Sequence, residues 1–307
     1  MNESRGVGVA IASCCLGAGA AVATRYLIVA ADPFTLAAIR FGGGAVCLLP
    51  LVLLLPVRWP PRADWPAVAG LSFAFYGVFF VLYNVALSFT TVARGTLALS
   101  TLPLMTMVAG SMLGIEPLSR RKTAGVAVAM LGVAVALASG LQGAPPGAWR
   151  GDLIMAAATL CMALYNVFSR PFIQRSSALG FLSSGMAVGG GALVLISMGT
   201  GGASSLAGFG PRDWIAAFYL AAGGGALAFF LWVYALQYAS PTRVANTMTV
   251  NPLVAGLLAA ALLGEPVTPV LFVGLIAVFA GIWIATTDSV SKRNEPFKSP
   301  PVCPDRS

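Results

Sequence analysis

The chain has 307 residues, 58% of them hydrophobic and 9% charged, with a mean hydropathy of +0.87. A soluble domain carries about 25% charged residues, so too few ionic groups exist here to cover a water-exposed surface, and lipid must be the main solvent. The net charge of +8 does not point to nucleic acid, because no basic run alternates with exposed aromatics; it fits positive charge gathered in short cytoplasmic loops.

Metal and redox chemistry have little to work with. There is no histidine, and Cys14, Cys15, Cys47, Cys161 and Cys303 show no zinc or redox spacing. No nucleophile–base pair stands out, so neither an enzyme nor a cofactor is expected.

Charges divide the chain into ten charge-free stretches of 17 residues or more: 6–24, 41–57, 65–93, 95–115, 123–149, 153–169, 176–211, 214–242, 244–264 and 266–287. A helix needs about 20 mostly apolar residues to cross a bilayer. Trimming at turn residues, notably 142–147 and 199–210, predicts spans at 6–30, 33–55, 65–88, 92–114, 119–139, 150–172, 178–198, 212–238, 242–263 and 267–287. The first span continues well past Ile11-Ala12-Ser13-Cys14, which argues against cleavage there as a lipoprotein signal. With the N-terminus inside, thirteen basic residues fall on inner loops and tails and four on the outer side, with Arg40 set aside inside a span. That asymmetry predicts a multi-pass protein of the cell (inner) membrane with both termini cytoplasmic.

The two halves match each other. A shift of 149 positions brings Asp64-Trp65 onto Asp213-Trp214, Tyr83 onto Trp232, Arg94 onto Arg243 and Pro103 onto Pro252. It also brings Glu116-Pro117 onto Glu265-Pro266, Gly125 onto Gly274 and Gly132 onto Gly281. A shift of 145 aligns Thr24-Arg25 with Ser169-Arg170. Each half holds five spans, an odd number, so the second enters from the opposite side of the membrane. The expected fold is therefore an all-α integral membrane protein: ten transmembrane helices as two inverted five-helix repeats around a central cavity. Residues 1–140 form the first repeat, 141–149 a connecting loop, 150–287 the second repeat, and 288–307 a polar C-terminal tail. Such internal symmetry makes a monomer self-sufficient, and it is typical of secondary transporters.

The duplicated five-helix unit, the Pro33–Arg40 segment, and the turns Gly114-Ile115-Glu116-Pro117 and Gly264-Glu265-Pro266 carry a family resemblance over residues 5–287. The chain resembles the drug/metabolite transporter superfamily in its EamA-type ten-helix branch. By overall likeness it is similar to the YddG-type aromatic amino-acid exporters within it. The resemblance implies a basket of helices around a cavity, with spans 3, 4, 8 and 9 moving to alternate access.

Function should lie where polar groups face inward at mid-membrane. All ten acidic residues fall outside the span interiors, so a proton-coupled extruder of cations lacks its carboxylate. A neutral or zwitterionic solute fits better. Span 3 places Tyr76, Phe79, Phe80 and Tyr83 on one face with Asn84 beside it, and span 8 carries Phe229, Trp232 and Tyr234 near the equivalent depth. Such stripes are also what packing or an interface belt would use. In span 4, Thr96, Ser100 and Pro103 follow one face; in span 9, Asn246, Thr249 and Pro252 follow its match. Each proline blocks the carbonyl four residues earlier, at Leu99 or Met248, marking a kink beside a wet cavity or a plain structural bend. Span 6 adds Tyr165 and Asn166. Arg40 sits a turn or two inside span 2, where it could meet a substrate carboxylate, though snorkelling or a helix-end bond is the commoner use of such a residue. The glycine triplets at 42–44, 189–191 and 223–225 suggest close packing, and Gly224 a bend in span 8.

These readings converge on alternating-access export of amino acids or related small metabolites, aromatic amino acids first. A broad drug/metabolite extruder, a passive channel and a membrane enzyme are the alternatives. The expected partners are a small-molecule substrate and the lipid bilayer.

Overall fold

The computed structural model describes residues 3–114, 120, 123–125, 127, 128, 131, 132, 146–239, 241–265 and 269–286. Among these the chain is helical, without strands. The long helices are α1 (Glu3–Leu27), α2 (Pro33–Leu54), α3 (Arg62–Phe89), α4 (Val92–Met112), α5 (Ala148–Arg175), α6 (Ala178–Gly199), α7 (Pro211–Tyr238), α8 (Arg243–Leu263) and α9 (Pro269–Thr286). Helices α1 to α8 are each long and apolar enough to cross a membrane. They occupy the predicted spans 1–4 and 6–9, and α9 occupies the tenth. The span expected at 119–139 lies largely outside the described residues, as do most of the 141–149 loop and the 288–307 tail.

The polar residues between spans serve the helix ends. Asp32 accepts the backbone N–H groups of Phe34 (2.9 Å) and Thr35 (3.1 Å) ahead of Pro33, which sits where its missing N–H costs nothing. Asp213 reaches back to the Gly210 N–H (2.8 Å) at the start of α7. Gly114 (φ +70°) and Gly264 (φ +68°) both take the left-handed conformation after α4 and α8. Only glycine adopts that without strain, and it falls at the same turn in each half.

Several helices depart from regular winding. Pi-helical turns run over Ile39–Gly43 in α2, Phe73–Phe79 in α3 and Tyr219–Leu227 in α7. Helix α4 breaks at Ser100–Thr101, and α8 tightens to a 3-10 turn over Thr247–Val250. Pro103 and Pro252 stand at the second residue of the segments that follow, where a helix needs no N–H donor. One expectation changes here: the Met248 carbonyl is not left open, because the tighter turn brings the Asn251 N–H onto it.

Helix α1 runs against both α7 and α8. Its Ser13 hydroxyl donates to the Ala228 carbonyl (2.7 Å), and its Cys14 carbonyl accepts from Asn251 Nδ2 (3.4 Å). Glycine lets α2 approach two neighbours at backbone distance. A Cβ at Gly225 would collide with the Arg40 carbonyl oxygen, and one at Gly190 would stand 2.8 Å from the Phe41 carbonyl. The sequence-level reading of the triplets as packing sites thus has specific partners at these two positions.

One end of the bundle is pinned by partly buried ion pairs. Glu265 pairs with Arg25 (3.3 Å) and accepts the Val92 N–H (3.0 Å), while Arg25 also donates to the Leu87 carbonyl (2.9 Å). Arg94 pairs with Asp152 beside them. At the other end Arg175 pairs with Asp64 (3.1 Å), and the Ser177 N–H donates to the Arg58 carbonyl (2.9 Å).

Gly225→Val is expected to lower stability by about 1–3 kcal/mol, because backbone atoms cannot yield to the new side chain. Gly191→Ala, where nothing stands within 4 Å of the new Cβ, leaves stability unchanged or slightly raised. Thermal unfolding midpoints of the two detergent-purified variants check the contrast.

Candidate functional site

Midway along the bundle, α1, α2, α3, α4, α5, α7 and α8 enclose a narrow cavity. It offers about 40 Å³, room for a few waters. Ser13, Cys14 and Gly17 come from α1, Arg40 from α2, Phe79, Phe80 and Tyr83 from α3, and Leu99 from α4. Met162 of α5, Ala228, Phe229 and Trp232 of α7, and Met248 and Asn251 of α8 complete the wall. Leu99 and Met248 are the residues at the breaks in α4 and α8, so both broken helices turn their irregular stretch toward this space.

Arg40 sets the electrostatics of the site. It lies seven residues into α2, roughly 10 Å from that helix's start, and only 4% of its surface is exposed. The expectation that it snorkels or bonds a helix end does not hold. Instead Nε and Nη2 both donate to the Gly224 carbonyl (3.2 Å each), and Nη1 is buried without a partner. The reason is geometric: the Arg40 and Gly225 backbones approach so closely that the side chain is captured by the π-wound turn of α7 rather than freed toward the interface. The guanidinium carbon stands 4.7 Å from the Phe80 ring centre and 5.6 Å, 5.7 Å and 6.0 Å from those of Phe229, Phe41 and Tyr83. Ring faces attract a cation at this range. They do not replace a counter-ion, since a desolvated charge loses several kcal/mol of hydration.

The other sequence candidates distribute around this centre. Tyr83 and Trp232 line the cavity, and both are almost fully buried. Asn166 stands behind Trp232 and accepts its indole N–H on Oδ1 (3.1 Å). Tyr76 and Tyr165 meet through their hydroxyls (3.3 Å), with Tyr165 stacked on Phe75 at 3.9 Å. Asn84 is turned away: its Nδ2 donates to the Pro33 carbonyl (2.9 Å) and ties α3 to the start of α2. The hydroxyls of Thr96, Ser100 and Thr249 donate to carbonyls of their own helices. Tyr234 packs beside Phe230 and Tyr238 and does not line the cavity, and neither does the half-buried Asn246. Gly224 supplies the carbonyl that holds Arg40. Asn251, which sequence reasoning passed over for Asn246, does line it, with Oδ1 buried and unpartnered. Its signal was visible, a polar amide directly before Pro252. A wider hollow of about 470 Å³ runs along α1 beside Arg212 and Tyr219. No buried polar atom without a partner faces it among the described residues, which makes the smaller cavity the candidate site.

A lipid-solvated helical bundle that closes around an aromatic-walled space with a few polar groups has the form of a solute carrier. Comparison with known proteins agrees. The chain belongs to the EamA-like transporter family, whose model matches residues 4–138 and 149–287. It is similar to the uncharacterized transporter YetK of Bacillus subtilis, with 28% identity over 98% of this chain and 91% of that one. It is also similar to the uncharacterized transporter YyaM of the same organism, at 22% identity over 85% of this chain and 87% of that one. A Salmonella typhimurium protein named "Probable amino-acid metabolite efflux pump" is 26% identical over 70% of this chain and 74% of its own length. A protein of known crystal structure shares the fold, with a TM-score of 0.67 at 20% identity over 92% of this chain and 96% of that one. The protein is thus a multi-pass membrane transporter of this family.

Asn166→Leu strips the Trp232 N–H of its acceptor inside a dry wall. It should cost about 1–3 kcal/mol of stability. Trp232→Phe should cost less in that variant than in the wild type, since the donor it removes is already orphaned. A double-mutant cycle of unfolding midpoints tests the coupling.

Proposed function

We propose that this transporter exports amino acids or related small metabolites, aromatic amino acids foremost, by alternating access. The observation that carries the reading is the mid-bundle cavity walled by Phe79, Phe80, Tyr83, Phe229 and Trp232 and served by few polar groups. Such a lining suits a small solute with an apolar or aromatic body and a polar head. The efflux-pump name of the Salmonella relative, and the likeness to YddG-type exporters, support the same cargo class.

The size of the space supports alternating access. About 40 Å³ cannot hold an amino acid, so the cavity must widen for cargo. The irregular turns of α3, α4, α7 and α8 surround it, and helices already out of regular hydrogen bonding bend there at least cost. Two family matches in one chain, the left-handed glycines after α4 and α8, and the paired breaks before Pro103 and Pro252 support two inverted five-helix halves. On that reading the Arg25–Glu265 end is the outer one, both termini are cytoplasmic, and the membrane is the cell (inner) membrane. A monomer suffices. With every acidic residue at a helix end, in a loop or in a tail, facilitated diffusion or exchange is favoured over proton-driven extrusion.

Purified protein in liposomes should show saturable uptake of labelled phenylalanine, tyrosine and tryptophan, each competing with the others. Absence of flux for every amino acid tried, with and without a proton gradient, would sink the reading. Flux that never saturates would favour a channel instead.

The Arg25–Glu265 pair, at the outer end on this reading, gives a second test. In a chain retaining only the cavity cysteine Cys14, Glu265→Gln removes the charge that holds Arg25. Labelling of Cys14 by an impermeant maleimide from outside should speed up several-fold. An unchanged rate would show that this ion pair does not hold the outer end shut.

A further inference from the structure

Two residues that line the cavity each carry a buried polar atom with no hydrogen-bond partner among the described residues. One is a donor, Arg40 Nη1; the other is an acceptor, Asn251 Oδ1. Each residue is 4% exposed. Their other polar groups are engaged: Arg40 Nε and Nη2 with the Gly224 carbonyl, and Asn251 Nδ2 with the Cys14 carbonyl. The amide orientation of Asn251 is fixed by that contact, because turning it would set two carbonyl oxygens face to face. Oδ1 is therefore the free acceptor of a residue that lines the cavity.

We propose, as a deepening of the amino-acid reading above, that Arg40 and Asn251 are the two ends of a zwitterion site. Arg40 takes the substrate's α-carboxylate, and Asn251 Oδ1 accepts a hydrogen from its α-ammonium. Three physical arguments meet here. Arginine stays charged at any accessible pH, so its burial without an acid cannot be relieved by losing a proton. Among the described residues Arg40 has no ion pair, and no acidic residue lines the cavity. Negative charge therefore has to arrive with the cargo. Finally, a neutral carbonyl is a weaker acceptor than a carboxylate, which offers a guanidinium two parallel charge-assisted bonds.

That last point links recognition to motion. The Gly224 carbonyl belongs to the π-wound turn of α7, and Arg40 to α2. A carboxylate that draws Nη2 away from Gly224 loosens α7 from α2, at a stretch where α7 is already irregular. Cargo binding would thus weaken, from two bonds to the one from Nε, the contact between Arg40 and the π-wound turn of α7.

The test compares three ligands on the intact wild-type protein in detergent by titration calorimetry: L-phenylalanine, its amide without the carboxylate, and 3-phenylpropionate without the ammonium. Phenylalanine should bind about tenfold or more tighter than either. Arg40→Gln should erase the preference for acid over amide. Asn251→Leu should erase the preference for phenylalanine over 3-phenylpropionate and leave the other intact. If the wild type binds all three equally, or if Arg40→Gln keeps the full preference for the acid, the zwitterion site is wrong while amino-acid transport stands. If liposomes carry no amino acid and no ligand binds, the transport reading falls and this site with it. Should Arg40→Gln fail to fold, the wild-type ligand series decides alone.

Discussion

The structure turns on holding a permanent cation inside a bundle whose solvent is lipid. Arg40 cannot shed its proton, and it lies too deep in α2 for its neighbours to let it reach water. Its position is tolerable because α2 and α7 meet at backbone distance, which puts the Gly224 carbonyl against two of its nitrogens. That approach requires glycine at 225 and the widened winding of α7 over Tyr219–Leu227. The rings of Phe41, Phe80, Tyr83 and Phe229 then close around the guanidinium plane. Glycine packing, the π turn of α7 and part of the aromatic wall thus meet at one buried charge.

The irregular helices around that charge share a second economy. A straight helix keeps its polar backbone to itself, and a lipid-facing helix must. Here the departures from regular winding in α4, α7 and α8 face protein and the cavity, where freed groups find local partners. Met248 illustrates it. Its carbonyl, blocked by Pro252 from a regular bond, accepts the Asn251 N–H instead, and that same turn presents the Asn251 side chain to the cavity. Structure that relieves a proline also builds part of the cavity wall.

The two ends of the bundle are tied differently. At one, Glu265 gathers Arg25 and the Val92 N–H, with the Arg94–Asp152 pair alongside, all less than a third exposed. At the other, Arg175 is 53% exposed in its pair with Asp64. Ion pairs shielded from water hold more firmly than wet ones. The better-shielded end is therefore the more firmly tied of the two.

The sequence by itself determined the solvent and the approximate places of the described long helices, because hydropathy and charge act locally along the chain. It also exposed the doubled pattern of Pro103 with Pro252 and Glu116 with Glu265, since the repeat is a property of residue order. Tyr83 and Trp232 were readable as inward candidates from their matched positions. What residue order could not state was which polar groups are already spent. Thr96, Ser100 and Thr249 look like cavity hydroxyls but bond their own helices, and Asn84 belongs to Pro33. Arg40 reads as a snorkelling residue in isolation, and Asn251 as an ordinary neighbour of a proline. Only tertiary packing, which sets the Gly224 carbonyl before Arg40 and the Cys14 carbonyl before Asn251, decides that one donor and one acceptor are left without hydrogen-bond partners on two residues that line one cavity. The physical reason is that hydrogen bonding in a lipid-solvated protein is a closed account, and its remainder appears only when every helix is in place.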